Sequence, residues 1–352
     1  MEKNTPRQIV LLGVTYLINL TIVIMPGQLI NSAHQHSYLS FLPAGAVVLI
    51  MLFVLTRSSL RFPGQDLFQS LSSRFPFIGR GIVTLYILFF FWVMVRDIRT
   101  MTDYTNIVLL PITPILIIAL CITATAVYVA RGGAKTIISI TELYGPIVMV
   151  NLCIIPIIAV RDFDFGLMRP ALFVNWRNVS EGSWYIVAYL GQLLILPFIF
   201  SGKDYKFKYG LYSMLISLGF LMILTVMPIL VLGVEVSERA TYPVYDLVRE
   251  LRITDFLDRF DLILAAMWYP STLLNIAISL YIVCYGLKTV IPSVSGKMMA
   301  APVGLFAYSC AFWFYENSVQ LALFNRVWTL IALLFIVVLP LLIFTIHRPA
   351  KA

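Results

Sequence analysis

Long apolar runs alternate with short polar connections from one end of this chain to the other. Runs long enough to cross a hydrocarbon layer of about 30 Å occupy residues 8–30, 39–56, 80–106, 112–130, 137–160, 183–200, 209–233, 262–287, 298–315 and 327–346. They are rich in Leu, Ile and Phe and too long for barrel strands. Lipid leaves a segment of that length only the helix as a way to pair every backbone N–H and C=O. Ten transmembrane helices are therefore expected, the ninth carrying the weakest apolar signal. One connection, 234–261, departs from the pattern. Within it Val244, Leu247, Val248 and Leu251 recur at helical spacing among charged residues, Pro243 suits a first helical turn, and Thr254 or Asp255 suits the cap of a second short helix.

Composition agrees with a membrane protein. Of 352 residues 60% are hydrophobic and 12% charged, with a mean hydropathy of +0.92; no single soluble domain has the interior to bury so much apolar surface. Cys121, Cys153, Cys284 and Cys310 fall inside apolar runs without CxxC spacing, which points to inert buried thiols rather than a zinc site or disulfide framework. Neither a metal nor any other cofactor is expected. The net charge of +8 resides in short loops between apolar runs, so it marks membrane topology rather than nucleic-acid binding.

With the N-terminus cytoplasmic, the inner loops hold Lys3, Arg7, Arg57, Arg61, Arg74, Arg80, Arg131, Lys135, Lys203, Lys206, Lys208, Lys288, Lys297, Arg348 and Lys351. The outer side holds Arg161, Arg169, Arg177, Arg239, Arg249, Arg252, Arg259 and Arg326, offset in the 234–261 connection by seven carboxylates. Both termini are thus expected on the cytoplasmic side. The basic start Met1–Arg7 resembles a signal peptide, but Asn31–Ser37 offers no convincing cleavage site, so the first run is read as a permanent span.

Several landmarks occur in order along the chain: Gln8 opening span 1 and Pro26 closing it, Phe62-Pro63-Gly64, Leu110-Pro111-Ile112-Thr113-Pro114, Tyr128 to Gly132, and Thr241–Glu250 followed by Asp255-Phe256-Leu257-Asp258-Arg259 and Trp268. Together they resemble the spore germination protein family that forms the B subunit of nutrient germinant receptors, within the amino acid/polyamine/organocation superfamily. The resemblance implies an all-α membrane fold of two inverted five-helix repeats, 8–160 and 183–346, joined by 161–182, with helices 1 and 6 broken near the midplane. Breaks of that kind expose backbone groups to a ligand's carboxylate and amine. It also implies a larger A subunit and a lipoprotein C subunit as partners, in the inner membrane of a bacterial spore.

The corresponding breaks fall at Ile18–Gly27 and Val187–Gln192. The first resembles the superfamily's glycine-rich segment, with Asn19 and Thr21 where glycines are usual; Gln192 stands where many relatives carry Glu. Asn19, Leu20, Thr21, Ile22, Tyr189, Leu190, Gly191 and Gln192 are accordingly expected around a nutrient, although polar side chains there equally suit helix bridging. Span 8 adds Trp268, Thr272 and Asn275, followed by Ser279, on one face; span 3 adds Phe89 and Val93. Charges in lipid are costly, about 2.5–3.5 kcal/mol at mid-helix, so Arg96, Asp97, Arg99 and Asp103 must pair or face water. Arg99 and Asp103 suit snorkelling at the outer end, whereas Arg96 and Asp97 are expected to form a gating electrostatic network. Arg249 and Glu250 are expected on a cover helix that meets a partner.

Two functions remain open on these residues: a receptor for a small nutrient, with an amino acid favoured, and a proton- or sodium-coupled amino-acid transporter. Span 5 carries no charge over Tyr144–Pro156, where some proton-coupled relatives place a lysine, but Thr272, Asn275 or Ser279 would suit a cation. An enzyme finds no HExxH, GxSxG or phosphate-cradling loop.

Overall fold

A computed structural model describes residues 4–18, 21–62, 64–170, 173–251 and 260–346. It shows helices throughout and no β-strand among the described residues. A helix stands at each of the ten expected runs; among the described residues eight segments are long and apolar enough to cross a membrane, Ile115–Arg131 and Gly296–Trp313 falling outside those eight. Span 1 is Pro6–Ile18 and Thr21–Ala33, span 2 Phe41–Ser59, span 3 Ile78–Tyr104, span 4 Ile115–Arg131 and span 5 Gly133–Ala159. Span 6 begins at Trp176–Leu190; span 7 is Phe207–Leu232, span 8 Phe260–Val290, span 9 Gly296–Trp313, and span 10 starts at Ser318–Leu333 and ends at Leu339–Ile346.

The irregularities have local causes. Span 6 passes from its helix into a 3₁₀ segment, Gly191–Ile195, and then one last turn, Leu196–Ile199. Pro197 has no N–H for the carbonyl four residues back and its ring crowds that carbonyl, so the turn before it tightens. Pro340 acts likewise on span 10, where Leu334–Val338 widens into a π turn. Span 1 is described as Pro6–Ile18 and Thr21–Ala33; Asn19 and Leu20, where a break was expected, lie outside the described residues. The expected second outer helix and its cap, Thr254 or Asp255, lie outside them too.

Span 8 packs against spans 3, 4 and 5, while span 1 packs against spans 5 and 7 and the second half of span 1 against span 6. These contacts put the 3₁₀ segment of span 6 inside the bundle. Outside the membrane-spanning set, Val234–Arg239 and Pro243–Glu250 fold back over the second half of span 1. The approach is close: a Cβ on Gly27 would stand 2.9 Å from the Ala240 carbonyl. Pro243 opens its helix, and Leu247, Val248 and Leu251 are buried while Arg249 and Glu250 are exposed. That is the division the apolar stripe predicts.

Arg99 and Asp103 do not snorkel. Each is 4% exposed; Arg99 Nε donates to Asp103 Oδ2 at 3.1 Å, and its Nη2 donates to the Glu316 carbonyl at 3.3 Å. Their i, i+4 spacing lets them neutralise each other inside the bundle, and the guanidinium also lies 4.9 Å from the Phe312 ring.

Candidate functional site

The most demanding arrangement in the bundle is Arg96 beside Asp97 on span 3. Both are buried, at 1% and 0% exposure. Arg96 Nη2 and Nε donate to the same oxygen, Asp97 Oδ1, at 2.9 and 3.2 Å. Among the described residues no protein group pairs with Arg96 Nη1 or Asp97 Oδ2. Buried charge is tolerated only when paired and hydrogen-bonded, so one unused donor and one unused acceptor in the same pair are unusual. The guanidinium is 5.2 Å from the centre of the Tyr189 ring, in the last helical turn of span 6 before its 3₁₀ segment.

Tyr16 of span 1 completes the centre. Its hydroxyl and that of Ser279 are 2.8 Å apart, and its carbonyl accepts from Asn275 Nδ2 at 2.9 Å. Arg96 and Asp97 are both within electrostatic reach of its ring. Asn275 Oδ1, like the spare atoms of the ion pair, has no partner among the described residues. Spans 1, 3, 6 and 8 therefore bring Tyr16, Arg96, Asp97, Tyr189, Asn275 and Ser279 into one buried polar centre. Gln28 then ties the second half of span 1 to span 6, since its Oε1 accepts from the hydroxyls of Tyr185 and, at 3.2 Å, of Tyr189.

Of the residues expected around a ligand, Thr21, Ile22, Val93, Tyr189, Leu190, Gly191, Gln192, Thr272 and Asn275 are all buried. Asn19 and Leu20, and the side chain of Trp268, lie outside what is described. Gly191 meets another helix: an added Cβ would overlap Ile336 Cδ1 of span 10 and come within 2.5 Å of its Cγ1. Phe89 turns to span 10 as well, stacking on Phe335 with centroids 4.7 Å apart and on Trp328 at 5.6 Å. Thr272 donates to the Tyr269 carbonyl at 2.7 Å and approaches Met101 Sδ at 3.1 Å. Thr272, Asn275 and Ser279 thus each engage different partners.

A cavity of about 80 Å³ lies beneath the Pro243–Glu250 helix. Ile22 and Val23 of span 1 form its floor, Asn151, Leu152 and Ile155 of span 5 one wall, and Tyr242, Val244, Tyr245 and Val248 its cover. Tyr104, from the end of span 3, sets its ring edge-on to Tyr242 and Tyr245, with centroids 5.3 and 6.1 Å away. At the other end of the bundle, Phe198 after the span 6 break packs on Tyr86 and Phe68, centroids 4.5 and 4.8 Å apart. There Asp66 caps the helix Leu67–Arg74 by accepting from Gln69 N at 3.0 Å, and it also accepts from the Tyr285 hydroxyl. Burial raises the Asp66 carboxyl above its ordinary value of 3.8; hydrogen bonds from Tyr285 and the backbone oppose the rise.

Sequence reasoning missed Tyr16, Gln28, Tyr104 and the Asp66–Tyr285 contact. Tyr16 had a signal, being three residues before Asn19 and so on the same helix face. Gln28 was the long polar side chain in the second half of span 1. Asp66 and Tyr285 are 219 residues apart, and no local pattern links them.

Comparisons with known proteins fit this architecture. Residues 3–319 match the profile of the family described as "Spore germination protein". The chain is 31% identical to the Bacillus subtilis protein YfkT over 99% of its own length and 97% of the relative's, and 23% identical to spore germination protein KB of the same species over 85% and 82%. Among solved structures it resembles Mhp1, a nucleobase-cation-symport-1 family transporter, with a TM-score of 0.69 at 15% identity, covering 95% of this chain and 78% of that one. It also resembles the Eremococcus coleocola manganese transporter, with a TM-score of 0.61 at 13% identity and coverage of 96% and 78%. At these identities the likeness establishes the fold, a LeuT-type transporter scaffold of about ten membrane helices. The match over nearly the whole sequence establishes the rest: this multi-pass membrane protein belongs to the spore germination protein family.

Proposed function

We propose that the chain is the B subunit of a nutrient germinant receptor: it binds a small nutrient, an amino acid, at the polar centre and passes a conformational change to partner subunits. The observation that carries this reading is the buried Arg96–Asp97 pair with one donor and one acceptor unused, beside the point where span 6 leaves its α-helix. An α-amino acid carries one charged group of each sign. Its carboxylate complements Arg96 Nη1, its ammonium complements Asp97 Oδ2 and Asn275 Oδ1, and backbone groups where span 6 leaves its α-helix supply further partners. The ligand thereby completes a pair that the protein alone leaves half satisfied.

In this reading the repeats 8–160 and 183–346, joined by 161–182, move against each other around the ligand. Asn19, Leu20, Thr21, Ile22 and Gln192 border it, and Trp268 and Thr272 shape its outer side. The Pro243–Glu250 helix is the extracytoplasmic cover, and exposed Arg249 and Glu250 meet the A subunit or the lipoprotein C subunit. The protein resides in the spore inner membrane with both termini cytoplasmic, and it works as a receptor rather than an enzyme.

Isothermal titration of the purified protein against amino acids and sugars tests the reading. The binding amino acid should lose affinity about 10- to 100-fold when its ammonium or its carboxylate is removed chemically, the range of one charge-assisted hydrogen bond of about 1.5–3 kcal/mol. Modifying the ligand leaves the protein's folding untouched. Asp97→Asn should weaken binding of the amino acid more than binding of its analogue without the ammonium. Equal affinity for the amino acid and for both truncated analogues would exclude recognition by this pair.

A further inference from the structure

An open groove of about 490 Å³ lies at the end of the bundle opposite the cover helix, lined by Phe53, Val54, Arg57, Leu60 and Arg61 from span 2 and the residues after it, and by Phe344 of span 10. Its chemistry is divided. Phe53 and Leu60 are 42% and 44% exposed, on helices whose apolar faces meet lipid. Above them sit two guanidiniums four residues apart, Arg57 at 5.0 Å from the Phe53 ring and Arg61 at 4.4 Å from the Phe344 ring. Arg61 is fixed in place, because its Nη1 donates to the Phe344 carbonyl at 2.8 Å. Arg57 has no ion pair among the described residues.

The surroundings add positive charge. Residues 41–62 contain no Asp or Glu, and neither does 327–346. Phe207, the first residue of span 7, packs edge-on against Phe53 with centroids 5.3 Å apart. That contact brings the end of span 7 that carries Lys206 and Lys208 beside the groove.

From this geometry we infer that the groove is a binding site for an anionic phospholipid. The two arginines hold the headgroup phosphate, and an acyl chain lies along Phe53, Val54 and Leu60. A guanidinium has five N–H donors in a planar fork suited to phosphate oxygens. Basic pockets between membrane helices at the cytoplasmic level recognise lipid phosphates in this way. An apolar wall directly below the charges distinguishes a lipid from a soluble anion, since a free ion makes no use of Phe53 or Leu60. The site is separate from the polar centre, so the lipid would tie spans 2, 7 and 10 together at one end.

Native mass spectrometry of the purified full-length protein, titrated with phosphatidylglycerol, phosphatidylcholine or inorganic phosphate, tests the proposal. Phosphatidylglycerol should bind in a 1:1 adduct that phosphatidylcholine and inorganic phosphate do not displace. Arg57→Gln should weaken that adduct about 5-fold and Arg57→Gln with Arg61→Gln about 30-fold. Arg57→Gln keeps the Arg61–Phe344 contact, so its folding is not at risk, and Arg80→Gln serves as a charge control that leaves the adduct unchanged. Equal retention of phosphatidylcholine, displacement by inorganic phosphate, or an unchanged adduct in Arg57→Gln would each overturn it.

Discussion

Replacing Gly191 by alanine tests whether the span 6 break is held by span 10. The added Cβ would overlap Ile336 Cδ1 and stand 2.5 Å from Cγ1 and 3.2 Å from Cγ2. Gly191 and Ile336 are both buried, Ile336 at 1% exposure, and Ile336 sits in the π turn Leu334–Val338, so neither side can give way without a shift of backbone or rotamer. Overpacking of this kind costs about 1–3 kcal/mol. Ile336→Ala alone removes all three contacting atoms and costs about 2–5 kcal/mol through the cavity it leaves. In the double variant the alanine methyl enters that cavity, so its loss should be smaller than the sum of the two single losses by about 1–3 kcal/mol. The assay is thermal unfolding of the four proteins in one detergent. Strictly additive losses would refute the contact and detach the glycine's role from helix packing.

Asp66 predicts a pH dependence. Its carboxyl is raised in the folded protein by burial, so the folded state binds more protons than the unfolded state between the ordinary carboxylate value and the raised one, and stability falls as pH rises through that window. Asn keeps the helix cap; Asp66→Asn should therefore gain stability relative to the parent as pH rises from about 4 to 7, and a constant difference in unfolding temperature would contradict this. On the Pro243–Glu250 helix, Arg249→Ala with Glu250→Ala changes exposed side chains only, so the protein should accumulate in the membrane at its normal level while co-purification of the proposed partners and the germination response fall several-fold. Normal assembly and response would exclude that face as the docking site.

The helical runs and the irregular stretch of span 6 were legible because lipid turns a simple apolar run into a helix and leaves Pro and Gly to mark its irregularities. The cover helix was legible for the same kind of reason: Val244, Leu247, Val248 and Leu251 share one face. What lay beyond the pattern was direction and partnership. Phe89 and Gly191 were expected beside a ligand, yet both meet span 10, because which neighbour a helix face meets depends on packing between distant spans. Arg99 and Asp103 were expected to reach water, but their i, i+4 pairing keeps them inside. The convergence of Tyr16, Arg96, Asn275 and Ser279 depends on contacts between residues 263 positions apart, beyond the reach of any local spacing.

Whether the polar centre senses or pumps is decided by uptake. Arg96 does not cycle protons at ordinary pH, and it is bonded directly to Asp97. Glu142, at the start of span 5, is held by Gln8 Nε2 at 2.8 Å. Arg96 and Asp97 should therefore act as a fixed charge network in a receptor without coupled transport. The measurement is radiolabelled uptake of the bound nutrient into proteoliposomes under an imposed proton or sodium gradient. Saturable binding of equal affinity with or without either gradient, and no concentrative uptake, is the predicted result; gradient-driven accumulation that disappears in Asp97→Asn or Glu142→Gln would contradict it and make the protein a transporter.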